Sequence, residues 1–418
     1  MPCILIVGTL DTKHEEIAFL RDQVDLAGGR CQLMDVGVLG RAPIRADITA
    51  EQVAQAAGFT LAQVADSGDE NLAMQRMAKG AALQAARAHA DGQIEGLIAL
   101  GGTMGTDLAL DVALALPLGV PKLVLSTVAF SPLLPADRLP ADLMMMLWAG
   151  GLFGLNSLCR SSLAQAAGAV MGACRQAQAP RFDRPVVGMT SLGSSVLRYM
   201  LALKPALDRR GFELAVFHTT GMGGRAFEML AAQGRFACVM DFSLQELVNQ
   251  LGGSVVTAGA DRLTGAGRSA TPQIVAPGAT DMVDFPAGSA APARFSGRPV
   301  HAHNRLIASV SIDADMRREV AVAMMERLGQ ARGPSHLVLP LKGIEGWDRE
   351  GEPMHDPEGL AAFFEVCRQQ RTAQIMGRTQ VTELDAHIND EAFVEHVLAI
   401  FDRWLEVGLI ARAPGKSQ

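Results

Sequence analysis

The sequence predicts an α/β protein with two doubly wound, Rossmann-like parallel-sheet subdomains and a cleft between them. Short apolar runs alternate with longer segments of helical periodicity, which is typical of a parallel sheet covered by helices. The alternation stops at a stretch rich in proline and charge, 176–185, and then restarts. A chain of 418 residues is also too long for one ordinary core. We therefore expect an N-terminal subdomain at 1–180 and a C-terminal subdomain at 181–412.

In the N-terminal subdomain, strands and helices alternate from the first residues onward. An apolar run at 3–8 predicts a buried strand, and 14–28 has apolar residues at helical spacing behind an acidic first turn. The other elements predicted here are strands at 31–37, 94–102 and 122–127 and helices at 51–58, 70–90 and 106–116. Because open α/β sheets bind ligands at the carboxyl ends of their strands, the candidate loops are TLDTK, DVG, GGTMGT and STVAF.

The C-terminal subdomain repeats this organisation without a recognisable repeat of sequence. The strands predicted here lie at 184–190, 212–220, 236–242 and 336–343, with a short one at 273–278. The helices lie at 192–207, 221–233, 243–253, 313–329, 357–370 and 390–407. Apart from the short strand, the region rich in Gly, Pro and Asp at 252–299 predicts loops.

Composition excludes several classes of function. A net charge of -7 without a basic run argues against nucleic-acid binding. The first residues lack the basic region and the long apolar run of a signal peptide. Six cysteines without a CxxC pair predict reduced thiols and a cytoplasmic location.

One uncharged segment, 143–155, needs a separate explanation. It is shorter than the ~20 residues of a membrane-spanning helix. Its methionines are typical of adaptable packing surfaces. We expect a buried helix or a subunit interface, and no membrane contact.

GGTMGT, at 101–106, is the sharpest local signal for a ligand site. Two glycines after a buried strand allow the backbone to approach a ligand closely. The following amides open a helix and favour an anion, most often phosphate. Thr103 and Thr106 add hydroxyl donors. The alternative is a tight turn that requires glycine only for its geometry.

GTLDTK, at 8–13, matches neither the Walker A nor the GxGxxG pattern. Lys13 can still neutralise phosphate, and Asp11 can hold a ribose hydroxyl or a magnesium ion. We expect this loop to supply these groups beside the glycines of GGTMGT, which lie on another strand. The alternative is a capping box, with Asp11 or Thr12 as the N-cap and Glu15 or Glu16 behind it.

The second half has a corresponding loop, FHTTGMGGRAFE, at 217–228. His218 at a strand end, beside a glycine-rich turn, is typical of a general acid or base or of a phosphate ligand. The alternative is a histidine that bonds to the backbone. His301 and His303 would share one face of a strand and resemble a metal pair, but spacing fixes no third ligand.

The motifs together give a family resemblance that covers nearly the whole chain. The sequence resembles the Tm-1-like ATP-binding family. The motifs that carry the resemblance are GTLDTKHEE, GGTMGT, STVA, GLN, GMTSLG, FHTTGMGGRAFE, AGADRL, GATDMVDF, HN, LPLKGI and HIND.

The resemblance implies two α/β subdomains, a homodimer, and ATP with Mg²⁺ in the first subdomain, but it assigns no reaction. The expected nucleotide contacts, including strand-end neighbours, are Gly8, Thr9, Asp11, Thr12, Lys13, Gly101, Gly102, Thr103, Gly105, Thr106, Ser126 and Thr127. The expected ligand loop of the second subdomain comprises Gly221, Gly223, Gly224, Arg225, Asp241 and Asn304. If the protein is an enzyme, which the resemblance does not imply, the expected catalytic residues are His218, His303 and His387.

This chain departs from the family pattern at several loops. Phe130, Ser131 and Pro132 replace a Ser-Gly-Asp loop, and Arg305 replaces a common proline. Three functions therefore remain open: a nucleotide-dependent enzyme acting on a small anionic metabolite, a non-catalytic nucleotide-binding regulatory or interaction module, and a binder of another phosphorylated metabolite.

Overall fold

The computed structural model describes residues 1–178, 180–193, 198–298, 300–352, 354–372 and 379–411. The chain forms two compact units, Met1–Arg181 and Phe182–Gln418.

The first unit is a five-stranded parallel sheet covered by helices. Its strands are β1 (Cys3–Gly8), β2 (Arg30–Asp35), β3 (Gly96–Gly101), β4 (Lys122–Ser126) and β5 (Met144–Leu147). Its helices are α1 (His14–Leu26), α2 (Ala50–Ala56), α3 (Leu61–Ala65), α4 (Glu70–Ala90), α5 (Thr103–Ala115) and α6 (Ser157–Gln176), with a 3₁₀ turn at Ala136–Arg138. The strand order is β2-β1-β3-β4-β5. This is the flavodoxin-like order, whose direction reverses between β1 and β3.

Helices bury both faces of this sheet. Along β1, Leu5 and Val7 join the core on one face, while Ile4 and Ile6 join the core on the other. This alternation follows from the two-residue period of a strand. Since both faces are apolar, the strand carries no polar side chain before it ends at Gly8.

The second unit contains two sheets. Its strands are β6 (Val186–Ser191), β7 (Glu213–His218), β8 (Cys238–Asp241), β9 (Gln273–Val275), β10 (Met282–Pro286), β11 (Val300–Ala302), β12 (Ile307–Ser311), β13 (Ser335–Pro340) and β14 (Thr379–Leu384). Its helices are α7 (Arg198–Arg209), α8 (Met222–Ala232), α9 (Gln245–Leu251), α10 (Gly265–Ser269), α11 (Ala314–Gly329), α12 (Pro357–Thr372) and α13 (Glu391–Glu406), with a 3₁₀ turn at Ala293–Phe295.

The larger sheet of this unit is parallel and has the order β14-β13-β9-β8-β6-β7. Its direction reverses at β6, as that of the first sheet reverses at β1. The smaller sheet is antiparallel, with the order β10-β12-β11. The prediction of two Rossmann-like parallel sheets is therefore confirmed, and the small antiparallel sheet is an addition.

Several predicted elements were wrong or incomplete. The segment at 143–155 is not a buried helix, because Met144–Leu147 forms the edge strand β5. Within the described residues, no helix is long and apolar enough to cross a membrane. The expected loops at 252–299 contain α10 and β10. The helix α6 and the strand β14 were not predicted, and α5 begins three residues earlier than expected.

Close helix packing makes a prediction about two glycines. A methyl group at Gly80 in α4 would lie 1.9 Å from the Val53 carbonyl oxygen, whereas one at Gly168 in α6 would meet nothing within 4 Å. We expect Gly80→Ala to lower the free energy of unfolding by about 1–3 kcal/mol through overpacking. Gly168→Ala should raise it by about 0.5–1 kcal/mol, because alanine favours a helix. Urea denaturation measures both values, and equal stabilisation by the two variants would contradict the packing described.

Candidate functional site

A cavity of about 660 Å³ lies in the first unit, where the strand order reverses between β1 and β3. The loops after β1, β2 and β3 line it, together with the start of α4 and the first turns of α5. Its volume is in the range of pockets that hold small molecules and cofactors. Doubly wound sheets place their ligands at this position.

Two helix N-termini without side-chain caps meet this cavity. The helix α5 begins after Gly102, and α1 begins after Lys13; neither N-cap residue forms a side-chain hydrogen bond to its helix. The amides of a first helical turn carry partial positive charge, and two such ends at one cavity favour an anion.

The capping-box alternative for α1 is wrong. Asp11 accepts a hydrogen bond from the Leu39 amide at 2.9 Å, and Thr12 shares one with the Thr9 hydroxyl at 2.7 Å. Glu15 and Glu16 do not turn back toward the helix start, because they accept amide hydrogen bonds from the loop at 154–155. The first turn of α1 therefore lacks the carboxylate partner that the sequence pattern suggested.

The two glycines of GGTMGT have different roles. A methyl group at Gly101 would lie 2.5 Å from the Gly105 Cα atom, so this glycine allows α5 to pack on the end of β3. A methyl group at Gly102 would meet only the Thr127 hydroxyl, at 3.8 Å. Gly102 lines the cavity, and its backbone can be approached by a ligand.

Lys13 is the basic side chain among the residues that line the cavity. Its Nζ lies 3.5 Å from the Thr12 carbonyl oxygen and 5.8 Å from the centre of the Phe153 ring. Neither contact neutralises the ammonium charge, so the group can pair with a bound anion.

The opposite wall of the cavity is apolar. Val36, Val38, Met74, Met77 and Leu108 contribute to it. The sequence did not predict that α4 lines the cavity, because apolar residues at helical spacing are equally typical of a helix packed in the core.

Acidic residues lie at the start of α4, where it lines the cavity. Asp69 caps this helix by accepting hydrogen bonds from the Asn71 and Leu72 amides, and Glu70 is exposed beside it. The cavity therefore combines an apolar wall, open amides, one lysine and carboxylates.

Three expected nucleotide contacts do not line the cavity and instead join strand ends. The hydroxyls of Thr106 and Ser126 are buried and lie 2.7 Å apart in a shared hydrogen bond. The Thr127 amide donates to the Gly101 carbonyl. The expected contacts that do line the cavity are Gly8, Thr9, Asp11, Thr12, Lys13, Gly101, Gly102, Thr103 and Gly105.

Asp35, the last residue of β2 and the first of the DVG motif, connects two loops that line the cavity. Its Oδ1 accepts hydrogen bonds from the Leu10 amide at 3.0 Å and the Gly37 amide at 2.9 Å. Burial raises the pKa of this carboxyl group, while the two amide bonds oppose the shift. Asp35 thus ties the loop after β1 to the loop after β2.

In the second unit, the glycine-rich loop at 221–224 already binds a carboxyl group of the protein itself. The Glu246 carboxylate accepts hydrogen bonds from the Gly221 amide at 2.6 Å and the Gly224 amide at 3.1 Å. A methyl group at Gly224 would lie 1.6 Å from Glu246 Oε2. These glycines therefore seat an internal carboxylate, which differs from the expected ligand loop.

Arg262 holds that carboxylate in a buried ionic network. Its guanidinium is fully buried and donates to Glu246 at 3.0 Å, to Glu228 at 2.9 Å and to both oxygens of Asp241. Burial raises the pKa of Glu246 to about 7, although Arg262 opposes the shift. Asp241, expected in the ligand loop, is instead bound within this network.

Other expected ligand residues of the second unit also have protein partners. Arg225 forms an ion pair with Asp261 at 2.7 Å. Asn304 Oδ1 accepts hydrogen bonds from the Leu306 and Ile307 amides, which shapes the turn before β12.

The three candidate histidines have different surroundings. His218 is exposed at the end of β7, and its Nδ1 accepts a long hydrogen bond of 3.4 Å from the Gly193 amide. Partial burial lowers the pKa of His218, and the charge of the neighbouring His303 lowers it further. These two side chains therefore lie in one neighbourhood.

His387 is buried and fixed. Its Nδ1 accepts from the Asn389 amide at 3.0 Å, so Nε2 carries the proton. That nitrogen donates to the Glu345 carbonyl at 2.8 Å and to Asp348 at 3.0 Å. This side chain has no ring nitrogen left for a ligand.

His301 and His303 both pack against Trp347, with ring centres 5.0 and 5.6 Å apart. This arrangement is consistent with the expectation that His301 and His303 lie on the same face of a strand. Within the described residues, no group of three or more His, Cys, Asp or Glu residues is arranged to hold a metal ion.

The Arg262 network predicts a large loss of stability when its cation is removed. Arg262→Met leaves three buried carboxylates without their partner and should lower the free energy of unfolding by about 3–5 kcal/mol. Arg268→Met, which removes a half-exposed partner of Asp261, should change it by less than about 1 kcal/mol. Equal losses in urea denaturation would contradict this role of Arg262.

Comparison with known proteins gives matches along almost the whole chain. The model of the "Uncharacterised protein family (UPF0261) N-terminal domain" matches residues 2–179, and that of its C-terminal domain matches residues 184–405. A UPF0261 protein of Brucella melitensis biotype 1 is 49% identical over 98% of this chain and 97% of its own length. One of Clostridium tetani is 34% identical over 93% and 96%.

More distant similarities extend beyond bacteria. The ToMV resistance protein Tm-1(GCR237) of Solanum lycopersicum is 27% identical over 97% of this chain, which spans 56% of the plant protein. Solved structures superpose poorly, with a TM-score of 0.24 for a thioesterase domain from the curacin pathway, at 12% identity over 55% of this chain and 93% of that domain. The family matches are decisive: the chain belongs to the UPF0261 family and carries both of its domains.

Proposed function

We propose that this protein binds ATP with Mg²⁺ in the first unit and is a nucleotide-dependent enzyme acting on a small anionic metabolite. The observation that carries the proposal is the cavity at the β1/β3 reversal, where the N-termini of α1 and α5 meet Lys13 and an apolar wall. The family resemblance to Tm-1-like ATP-binding proteins supports the same ligand.

The cavity has a suitable group for each part of a nucleotide. The phosphates would lie against the first-turn amides of α5 and beside Lys13, which neutralises charge as a point cation. The base would pack on the wall that contains Met74, Met77 and Leu108. Magnesium would be held by phosphate oxygens together with the carboxylate of Glu70, since Mg²⁺ in such sites typically uses one or two protein carboxylates.

The second unit contributes the proposed acid/base groups. Because the Gly193 amide donates to His218 Nδ1, the neutral ring carries its proton on Nε2 and can offer it to a ligand. Partial burial and the charge of His303 lower the pKa of His218, which favours the neutral ring. His303 lies close enough to His218 for its charge to lower the pKa of that ring. His387 is no longer part of the proposal, because its ring is fixed within the protein.

A second candidate is a regulatory or interaction module that binds nucleotide without turning it over. The observation that favours it is the filled glycine loop of the second unit, where Glu246 takes the place of a ligand anion. The same cavity in the first unit also suits another phosphorylated metabolite, because its anion-binding groups do not select adenine.

We further propose a cytoplasmic homodimer. The six cysteines are free, as expected for a reducing compartment. β5 is the outer strand of its sheet, and Leu147, Phe153 and Leu158 are exposed apolar side chains nearby in sequence. Such a patch is typical of a subunit interface.

The Lys13 side chain provides the test of nucleotide binding. Lys13→Met should weaken binding of Mg·ATP by about tenfold or more, because a charge-assisted contact to phosphate contributes roughly 1.5–3 kcal/mol. The matched control is Lys79→Met, which removes an exposed lysine of α4 that does not line the cavity. Calorimetric titration measures both affinities. Equal affinities for the two variants would contradict the placement of the phosphates, and binding of other phosphorylated metabolites in preference to ATP would favour the third function.

His218 provides the test of catalysis. With a small acid that stimulates ATP turnover by the wild type, His218→Ala should lower kcat by about a hundredfold or more and leave the affinity for ATP unchanged. His355→Ala, a change at another exposed histidine, should leave both values unchanged. Tight ATP binding without turnover in any screened acid would favour the non-catalytic module.

A further inference from the structure

A cluster of buried acids lies at the carboxyl edge of the parallel sheet in the second unit. Asp281 follows β9, Glu345 and Asp348 follow β13, and these strands are neighbours in the sheet. His387 follows β14, the next strand outward. Carboxyl edges of this kind are where open α/β sheets bind ligands. The proposed nucleotide site and the His218 loop use none of these acids.

Asp281 and Glu345 are fully buried, and within the described residues no donor pairs with their carboxylates in normal hydrogen-bond geometry. None of their four oxygens accepts a hydrogen bond of normal geometry from the described residues. The Trp347 amide lowers the pKa of Glu345, and the amide of Asp281 lowers the pKa of its own carboxyl group, but neither amide forms a hydrogen bond of normal geometry. Buried polar groups in proteins are almost always paired, because an unpaired one costs about 1–3 kcal/mol and a charged one more.

The groups around these two carboxylates are already engaged. Asp348 accepts from the His387 ring at 3.0 Å and from the Ile344 amide at 2.5 Å. Arg317 forms an ion pair with Asp356 at 3.3 Å, and its buried Nε has no partner among the described residues. Arg317 is the cation whose charge lowers the pKa of both Asp281 and Glu345, and the carboxyl groups of the cluster outnumber it.

The pKa values of the two carboxyl groups are both raised, first by burial and then by the neighbouring carboxyl groups. Burial raises the pKa of Glu345 to about 9, and Asp281 and Asp348 raise it further while Arg317 opposes them. Burial raises the pKa of Asp281 to about 7, again against Arg317. At neutral pH, protons therefore occupy much of the cluster. The charged groups that act on the two carboxyls are Arg317, Asp348 and Asp284. Asp356 contacts Arg317, and His387 contacts Asp348.

We propose that Asp281 and Glu345 form a subsite for a primary ammonium group, either free ammonium or the head group of a small amine. Once the two carboxyl groups are ionised, such a group brings one positive charge and up to three N–H donors to four acceptor oxygens that have no hydrogen-bond partner among the described residues. A directly coordinated metal fits less well, because the described residues contain no arrangement of three suitable ligands. The subsite lies wholly in the second unit and does not depend on nucleotide binding.

Glu345 can also act as a base toward the bound ammonium group. As an ammonium group enters, the proton held by Glu345 leaves for solvent. In the ionised state, Glu345 can then accept a proton from the bound ammonium; the N–H bond breaks and its electron pair remains on nitrogen as a nucleophilic lone pair. A base with a raised pKa suits this transfer, because its proton affinity approaches that of an amine.

The direction of the pH dependence follows from the raised pKa values. Folding favours the protonated carboxyls, so their contribution to stability is fully present below the unfolded pKa values near 4 and is lost as pH rises through about 7 and 9. Protons compete with ammonium for the same oxygens. Ammonium should therefore bind more tightly at pH 8.5 than at pH 6.

Thermal unfolding of the full chain tests the proposal. Ammonium or methylammonium chloride should raise Tm at pH 8.5 relative to sodium chloride of equal ionic strength, and raise it less at pH 6. Tetramethylammonium chloride, which has no N–H donor, should behave like sodium chloride. An effect of ammonium alone assigns the subsite to the free ion, and an effect of both assigns it to an amine head group. Equal shifts by all four salts, or a larger shift by magnesium chloride, would overturn it.

Neutral variants of the two acids locate the effect. Asp281→Asn and Glu345→Gln should each abolish the ammonium-specific shift and reduce the loss of Tm between pH 6 and 8.5. The control Glu326→Gln, at an exposed position of α11, should leave both properties unchanged. If the two variants flatten the pH dependence while the wild type shows no ammonium-specific shift, the cluster holds only protons and the proposal is wrong.

Discussion

The burial of parallel strands on both faces is the constraint on which the rest of the structure depends. Helices cover the two faces of β1, so its side chains are apolar until the strand ends at Gly8. In this strand, polar side chains can therefore begin only at the carboxyl end, where the loop TLDTK follows. The reversal of strand order then separates the loops at one point of the carboxyl edge of the sheet and leaves room for a cavity.

The two units use similar edges in opposite ways. In the first, the helix starts after β1 and β3 lack side-chain caps, and a cavity lies before them. In the second, the turn after β7 is closed by Glu246, which Arg262 holds from the other side. The helix starts at the first edge thus have no side-chain partner, while the amides of the turn after β7 are bound by a carboxyl group of the protein. Unsatisfied acceptors in the second unit lie farther along its edge, at Asp281 and Glu345.

The sequence predicts the parts of this arrangement that depend on local pattern. Apolar runs identify most of the parallel strands, and GGTMGT identifies the open start of α5. β5 was missed because Met144–Leu147 resembles an apolar helix segment, and β10–β12 because short antiparallel strands are stabilised mainly by their partners. Glu246 lies 22 residues from the amide of Gly224 that it binds, so no local pattern reveals that contact.

The fit of Glu246 against Gly224 also limits how this sequence can change during evolution. Any side chain at position 224 would overlap the carboxylate, so a substitution there is tolerated only after Glu246 is lost. Loss of Glu246 would in turn remove one carboxylate partner of Arg262, whose remaining carboxylate partners are Glu228 and Asp241. These positions should therefore vary together among relatives or not at all. A lineage that reopened this turn to an external ligand would have to pass through several coordinated replacements.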